Sequence, residues 1–343
     1  MYPDFIGIGA QKAGTTWLGR NLQAHPEVWM PRLKEVHYFD EKLHEPRNAA
    51  PRFTHRVFGG SAANRRWRSQ VRRRTKKHLK RLYGKKFSGE DFRWDLRYYA
   101  GAPDDGWYAS LFERGGGRVV GEITPAYSTL EPYVVARVHG LAPEAKIILM
   151  MRNPIERVWS QTVMSFDRGK NRPIDTATEE ELLRHFGGEG ALRRTDYLRT
   201  LETWGAFYPP ERIFVGFLED VEFFPEELLR AVYGFLGVDP SFAPPKAGSK
   251  VHTRSTGSAP AAAMAHLARR YRAENAALEE RFGGYASFWR FCAERLAEDP
   301  PAEERLPYPL WESRLWEEWP GPRQTRLQSA PLSLSATPKK ADS

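Results

Sequence analysis

Cysteine is almost absent from this sequence. Cys292 is the only cysteine in 343 residues, so no intrachain disulfide is possible and the composition lends no support to an oxidising compartment. Long hydrophobic runs are missing too, and no stretch approaches the roughly 20 apolar residues that a membrane span requires. The N-terminal residues contain neither a basic segment nor a long apolar one, which argues against a signal peptide. These absences predict a cytoplasmic protein without a transmembrane segment.

Acidic residues are missing from one long segment. Residues 64–86 contain twelve lysines and arginines and no aspartate or glutamate, whereas the whole chain has a net charge of +9. The rest of the chain is therefore slightly acidic. Three interpretations of this basic run remain open: a solvated helical insertion without a partner, a contact for a polyanion such as an acidic polysaccharide, or non-specific contact with nucleic acid or a membrane. None of them predicts specific nucleic-acid recognition.

Strands and helices alternate along most of the chain. This alternation predicts an α/β fold with a central, mostly parallel sheet flanked by helices. The predicted strands are 5–9, 119–123, 146–151 and 212–217, and the predicted helices are 15–24, 154–166, 192–208 and 225–236, with further helix in 258–299.

We expect a single domain over residues 1–319. Residues 42–117 have weak strand signals and include the basic run, so we interpret them as an insertion or cap. From residue 320 onward the chain is rich in Pro, Ser, Gln and Lys and poor in large apolar residues. Such a composition predicts a disordered tail over 320–343.

A glycine-containing turn joins the first strand to the first helix. Residues 9–16 read G-A-Q-K-A-G-T-T, and this position offers unpaired backbone N–H groups and the positive end of a helix dipole to a phosphate. The spacing resembles the nucleotide-binding P-loop, G-x4-G-K-[ST]. However, Thr15 stands where that loop has its lysine, and Lys12 precedes Gly14 by two residues. An ordinary tight turn is the alternative interpretation.

The strand 146–151 ends in Arg152 rather than in an acid. A P-loop NTPase needs a carboxylate there to hold Mg²⁺, whereas an arginine repels a metal and attracts an anion. We therefore expect a metal-free site for a phosphorylated nucleotide. Taken alone, Arg152 is also compatible with a surface salt bridge.

Two motifs resemble those of sulfotransferases that use 3′-phosphoadenosine 5′-phosphosulfate (PAPS). Residues 11–18, Q-K-A-G-T-T-W-L, resemble the family's 5′-phosphosulfate loop, and an arginine followed eight residues later by a serine resembles its 3′-phosphate site. The resemblance implies a P-loop NTPase-like fold with PAPS as donor and no metal. The donor-binding residues that it implies are Lys12, Ala13, Gly14, Thr15, Thr16, Trp17, Arg152 and Ser160.

Residues 34–40, K-E-V-H-Y-F-D, are similar to K-E-x-H-F-F-D in heparan sulfate glucosaminyl 3-O-sulfotransferases and related carbohydrate sulfotransferases. This similarity implies that Glu35 is the catalytic base, with His37 in support and with Lys34 and Asp40 at the acceptor. A sugar hydroxyl must lose its proton as it attacks, and a carboxylate can take that proton. Lys12 would neutralise charge on the leaving phosphate. The alternative is a half-buried strand with a surface glutamate and a core-facing histidine.

Two later segments extend the resemblance. Residues 121–127 resemble the E-K-T-P-x-Y segment that lines the acceptor cleft, which implies Thr124, Pro125 and Tyr127, although an isoleucine replaces the family's lysine. Residues 249–254 resemble the loop that closes over the donor, which implies Lys250 and Arg254.

The sequence as a whole predicts transfer of a sulfuryl group from PAPS to a hydroxyl of an acceptor, with a carbohydrate preferred. Two other classes remain open: a non-enzymatic polyanion-binding protein on a nucleotide-binding fold, and a P-loop kinase or NTPase.

Overall fold

The computed structural model describes residues 1–42, 88–167, 172–245, 257–299, 302–323 and 325–332, with scattered positions between 58 and 76. Most of the basic run 64–86 and all of the predicted donor loop 249–254 lie outside the described residues, so their predicted roles remain predictions.

A six-stranded sheet forms the centre of the fold. Its strands are Phe5–Gly9 (β1), Val28–Trp29 (β2), Val119–Ile123 (β3), Lys146–Met151 (β4), Ile213–Phe217 (β5) and Ala330–Pro331 (β8). Their spatial order is β2-β3-β1-β4-β5-β8, and all neighbouring pairs are parallel except β5 with β8. A separate antiparallel pair consists of Ser258–Pro260 (β6) and Arg305–Pro307 (β7). The mostly parallel α/β sheet and its four predicted strands are confirmed.

The central strands are apolar on both faces because other elements cover both sides. All five residues of β1 are buried, as are five of the six in β4, which is typical of a central parallel strand. Gly7 in β1 lies so close to β3 that a Cβ there would stand 2.7 Å from a side-chain carbon of Ile123. The glycine at position 7 therefore allows β3 to approach β1 closely.

Helices connect and flank the strands. Within the described residues they are Thr15–Ala24 (α1), Gly89–Ala100 (α2), Asp105–Ser110 (α3), Pro132–Leu141 (α4), Pro154–Ser165 (α5), Glu179–Phe186 (α6), Glu189–Thr195 (α7), Tyr197–Gly205 (α8), Leu218–Phe223 (α9), Pro225–Leu236 (α10), Ala261–Arg270 (α11), Arg272–Phe282 (α12), Tyr285–Glu298 (α13) and Arg314–Glu318 (α14). None of these helices has the length and apolar character that crossing a bilayer requires.

The helix predicted over 192–208 is instead two helices, α7 and α8. They break at Asp196, whose backbone is not helical (φ −75°, ψ 80°) and whose side chain accepts a hydrogen bond from the N–H of Arg199. An aspartate that caps a new helix satisfies a backbone donor that would otherwise lack a partner. The hydrophobic pattern continues through Asp196, so the sequence alone did not reveal the break between the two helices.

Aromatic side chains in residues 88–117 pack into the core. Trp94 and Tyr98 on α2 stack with their ring centroids 5.4 Å apart, and Trp107 and Tyr108 on α3 are buried with them. The large aromatic area buried here stabilises the packing of α2 and α3 on the core. The described C-terminal part of the predicted insertion 42–117 therefore packs on the core, and its being an insertion remains a prediction.

Part of the segment after residue 320 pairs with the sheet. Ala330 pairs with Val215 of β5, and the carboxylate of Asp220 accepts hydrogen bonds from the N–H and the hydroxyl of Ser329 at 2.7 and 2.5 Å. In this part of the tail, strand pairing and two specific polar contacts hold the chain against the sheet despite its low apolar content. Residues 333–343 lie outside the described residues.

Candidate functional site

The turn after β1 has the backbone that its two key residues require. Lys12 and Gly14 both have positive φ angles, 77° and 84°, and α1 begins directly afterward at Thr15. Within the described part of the chain, the backbone N–H groups of Thr15 and Thr16 donate to no backbone carbonyl. These N–H groups and the helix dipole create a local preference for an anion.

The turn after β4 lies beside the turn after β1. Because β1 and β4 are neighbouring parallel strands, their carboxyl ends meet at one edge of the sheet. The Nη1 of Arg152 donates to the carbonyl oxygen of Lys12 at 3.4 Å. The hydroxyl of Tyr197 donates to the Arg152 carbonyl at 2.8 Å and accepts from its N–H at 3.3 Å. The two predicted donor turns therefore converge.

The Arg152 side chain is nearly buried, with 7% of its surface exposed. Its Nε lies 3.6 Å from a carboxylate oxygen of Glu156, one helical turn further on. Burial raises the pKa of Glu156, and the Arg152 charge acts against that rise. The Arg152 guanidinium also lies over the ring of Tyr308, 5.1 Å from the ring centroid. Such a cation, held near the surface at the end of a strand, is suited to a phosphate.

Lys34 links the phosphate turn to the glutamate that follows it. Its Nζ lies 3.2 Å from the Thr15 hydroxyl, 3.5 Å from the Thr16 hydroxyl and 3.4 Å from Oε1 of Glu35. The Glu35 side chain is 44% exposed, so its carboxylate is accessible to a molecule in solution. The candidate base and the candidate donor turn are therefore connected by a single side chain.

His37 lies between two carboxylates. Its Nε2 is 3.3 Å from Glu35 and its Nδ1 is 2.8 Å from Asp40. Burial lowers the pKa of His37, but the hydrogen bonds to Asp40 and Glu35 outweigh it and raise the pKa to about 10. Burial acts to raise the pKa of Glu35. The hydrogen bond to His37 and the charge of Lys34 outweigh burial and bring this pKa below its ordinary value. At neutral pH the exposed carboxylate of Glu35 is thus held by two cations, Lys34 and the protonated His37.

A model of the Sulfotransferase family matches residues 3–243 of this chain. The chain is a member of the sulfotransferase family. It is 26% identical over 184 residues to the membrane-associated sulfotransferase kil1 of Dictyostelium discoideum, a match that covers 52% of this chain and 26% of the relative. It is 28% identical over 109 residues to heparan sulfate glucosamine 3-O-sulfotransferase 6 of Mus musculus, covering 30% of this chain and 31% of the relative. The matches thus cover about a third or less of the length of each of these relatives.

The fold of this sulfotransferase is similar to that of a solved relative. The crystal structure of a sulfotransferase from Alicyclobacillus acidocaldarius has a TM-score of 0.52 and 22% identity, over 81% of this chain and 95% of the other. Together with the family match, this confirms the predicted fold class and the family resemblance.

Three of the predicted acceptor residues are buried in this sulfotransferase. Thr124, Pro125 and Tyr127 lie beneath the segment that carries Glu35: the hydroxyls of Thr124 and Tyr127 accept from the N–H groups of Val36 and Tyr38 at 3.0 and 2.9 Å. These contacts hold the backbone on both sides of His37, and a direct role in acceptor binding remains a prediction.

Glu122 is a functional candidate that the sequence prediction missed. Its side chain is fully buried, accepts from the Tyr108 hydroxyl at 2.7 Å and the Thr124 hydroxyl at 2.5 Å, and also accepts from the N–H of Val36. Burial raises its pKa to about 6, although these hydrogen bonds act in the opposite direction. The sequence did offer a signal for Glu122, because it lies inside a predicted buried strand and a buried carboxylate needs hydrogen-bond partners.

The remaining predicted residues are distributed as follows. Ala13 and Trp17 are buried in the core, and Ser160 on α5 is partly buried beside Tyr308. Lys250 and Arg254 lie outside the described residues. The sulfotransferase therefore brings the donor turn, the Arg152 turn and the Glu35 segment together at one end of the sheet.

Three side chains in the Glu35 segment offer possible metal ligands. Ligand atoms of His37, Asp40 and Glu41 lie within 4.8 Å of one another. A histidine whose pKa is about 10 carries a proton on both ring nitrogens at neutral pH, and a metal would have to displace one of them. The donor set thus suits a charged hydrogen-bond network, and the absence of a metal requirement remains a prediction.

Proposed function

We propose that this sulfotransferase transfers a sulfuryl group from PAPS to a hydroxyl of a carbohydrate, with Glu35 as the base. The observation that carries the proposal is the link made by Lys34, whose Nζ contacts both the donor turn at Thr15 and the carboxylate of Glu35. The donor would supply the sulfuryl group on its 5′-phosphate and leave as adenosine 3′,5′-bisphosphate (PAP).

The residues of the two converging turns fit a doubly phosphorylated nucleotide. The N–H groups at the start of α1 and the side chain of Lys12 would hold the 5′ end. Arg152 and Ser160 would hold the 3′-phosphate, because they lie on the neighbouring turn and on the helix that follows it. Binding at two separated points would orient the donor for in-line attack, where positioning contributes strongly to the rate.

Glu35 would accept the proton of the acceptor hydroxyl. Its lowered pKa keeps it ionised at neutral pH, and His37, itself held by Asp40, fixes one of its oxygens. The bond from the acceptor oxygen to sulfur forms as the bond from sulfur to the donor's phosphate oxygen breaks. Lys12 would stabilise the charge that develops on that phosphate.

The carbohydrate acceptor is proposed from the residues 34–40. Their match to the carbohydrate-sulfotransferase motif and the likeness to a heparan sulfate glucosamine 3-O-sulfotransferase both support a sugar hydroxyl. PAPS and the acceptor class can be tested separately.

Binding is tested first, by calorimetric titration with PAP and with ATP–Mg²⁺. Tighter binding of PAP is expected, whereas a preference for ATP–Mg²⁺ would place the chain among kinases or NTPases. Incubation with labelled PAPS and a panel of glycans, lipids and peptides then identifies the acceptor by a mass gain of one SO₃. Labelling of lipids or peptides without any glycan would overturn the carbohydrate proposal.

A further inference from the structure

Tyr308 reaches the candidate 3′-phosphate site from outside the segment that defines the family. It follows β7 and lies well beyond residue 243, where the family match ends. Its neighbours Leu306 and Leu310 are buried in the main core with 2% and 0% of their surface exposed. The chain on both sides of Tyr308 is therefore anchored.

Two hydrogen bonds donated by backbone N–H groups hold the segment around Tyr308 in place. The N–H of Leu310 donates to Oε1 of Glu156 at 2.7 Å, and the N–H of Tyr308 donates to the carbonyl of Gly257 at 3.3 Å. Glu156 lies one turn after Arg152 on the same helix. The position of Tyr308 is thus coupled to the helix that follows Arg152 and carries Ser160.

The side chain of Tyr308 contacts the two residues assigned to the 3′-phosphate. Its ring lies 5.1 Å from the guanidinium carbon of Arg152, and Ser160 and Arg152 are both near enough to its hydroxyl to act on its pKa. The hydroxyl also donates to the carbonyl oxygen of Glu156 at 3.3 Å. A guanidinium, a serine hydroxyl and a phenol hydroxyl therefore meet at one place.

The phenol group has the chemistry for a phosphate ligand. Burial raises the pKa of Tyr308 to about 12, although Arg152 and Ser160 act against the rise. The hydroxyl thus keeps its proton over the working pH range and can rotate to donate it. A neutral donor beside a fixed arginine is a common pattern for phosphate recognition.

We propose that Tyr308 is a third ligand of the donor's 3′-phosphate: its hydroxyl turns from the Glu156 carbonyl to the phosphate, while its ring holds the face of the Arg152 guanidinium. This proposal rests on the proposed use of PAPS. It assigns part of the donor specificity to the C-terminal segment, and in particular the discrimination between nucleotides with and without a 3′-phosphate.

The test compares two nucleotides that differ only in the 3′-phosphate, PAP and adenosine 5′-phosphate, by calorimetric titration of the full chain. Tyr308→Phe should weaken PAP binding about tenfold, the usual effect of one hydrogen bond to a charged group. It should change binding of adenosine 5′-phosphate by less than about twofold. Tyr308→Leu should weaken PAP binding further, because Arg152 also loses the contact with the ring.

Tyr133→Phe is the matched control, since Tyr133 is 69% exposed on α4. It should leave both affinities unchanged, and the melting temperatures of Tyr133→Phe and Tyr308→Phe should equal that of the wild type. An unchanged ratio of PAP to adenosine 5′-phosphate affinity in Tyr308→Phe would overturn this inference alone. Tighter PAP binding would also overturn it, because the hydroxyl would then obstruct the site. Equal wild-type affinity for the two nucleotides would overturn the proposed donor as well.

Discussion

The guanidinium of Arg152 lies 3.4 Å from the carbonyl oxygen of Lys12, although 140 positions separate the two residues in the chain. This contact exists because β1 and β4 are adjacent parallel strands with nearly aligned ends. β1 also has β3 on its other side. The chain fills the β2 and β3 side of β1 first and then crosses to β4 and β5 on the opposite side, and open α/β sheets bind ligands at such a switch in strand order.

Replacement of the candidate base should separate chemistry from donor binding. Glu35→Gln keeps the shape and one acceptor oxygen but cannot take a proton, so kcat should fall about 100-fold or more. The affinity for PAP, measured by calorimetry, should stay within a factor of about two. Glu180→Gln, which changes a glutamate that is 82% exposed on α6, serves as control. A Glu35→Gln enzyme with wild-type kcat at saturating donor would remove Glu35 from the mechanism.

The network around His37 should determine the alkaline limit of activity. The hydrogen bond that the Asp40 carboxylate accepts from Nδ1 of His37 helps to raise the pKa of His37 to about 10, so His37 stays charged and orients Glu35 up to that pH. Asp40→Asn removes the charge and should move the alkaline limb of the pH–rate profile toward neutrality. The exposed Asp299, paired with Arg295 on α13, offers a control in Asp299→Asn. If Asp40→Asn leaves the alkaline limb in place, His37 does not act through its charge.

Glu219 should make the folded state less stable as the pH rises. Its side chain is fully buried with one bond from Trp289 at 2.6 Å, and no hydrogen-bond partner of its Oε2 is found in the described residues. Burial and the nearby Glu156 raise its pKa from 4.5 to about 8. Because the folded state binds this proton more tightly, stability is greatest below the ordinary pKa and decreases as the pH rises toward 8. The loss should be on the order of 5 kcal/mol.

Glu219→Gln should remove most of that decrease, as measured by denaturant unfolding at several pH values between 5 and 9. Glu227→Gln, at an exposed position on α10, should leave the decrease intact. A wild-type stability that stays constant or increases over this range would contradict the assignment.

The segment 325–332 should be required for stability. A chain that ends at residue 324 loses β8 and leaves the carboxylate of Asp220 without the donors at Gln328 and Ser329. Because burial raises the pKa of Asp220 and these bonds oppose that effect, the truncation should cost about 3 kcal/mol or more in the free energy of unfolding. A chain that ends at residue 332 keeps every one of these contacts and should match the wild type. Equal stability of the two truncations would show that the contacts contribute little.

The donor turns could be predicted because their signals are local. An apolar run, a glycine and a helix start define residues 5–24, and Pro154 after Arg152 marks the start of α5. The family motifs then supplied roles for Lys12, Arg152 and Glu35, and those residues do lie together. The motif could not show that Thr124 and Tyr127 are buried under the Glu35 segment, and their predicted contact with the acceptor remains a prediction.

Within residues 3–243 the sequence by itself determined four of the five parallel strands, the two converging turns and the family, because each depends on neighbours within a few positions or on a recognisable motif. The two-residue strand β2 was too short to give a signal. Only the tertiary structure decided that Glu122 supports the Glu35 segment, that Tyr308 covers Arg152 and that Ser329 satisfies Asp220. These pairs are separated by 86, 156 and 109 positions. They have no periodic pattern, and they form because buried charges and donors must find partners wherever the packed core brings them together.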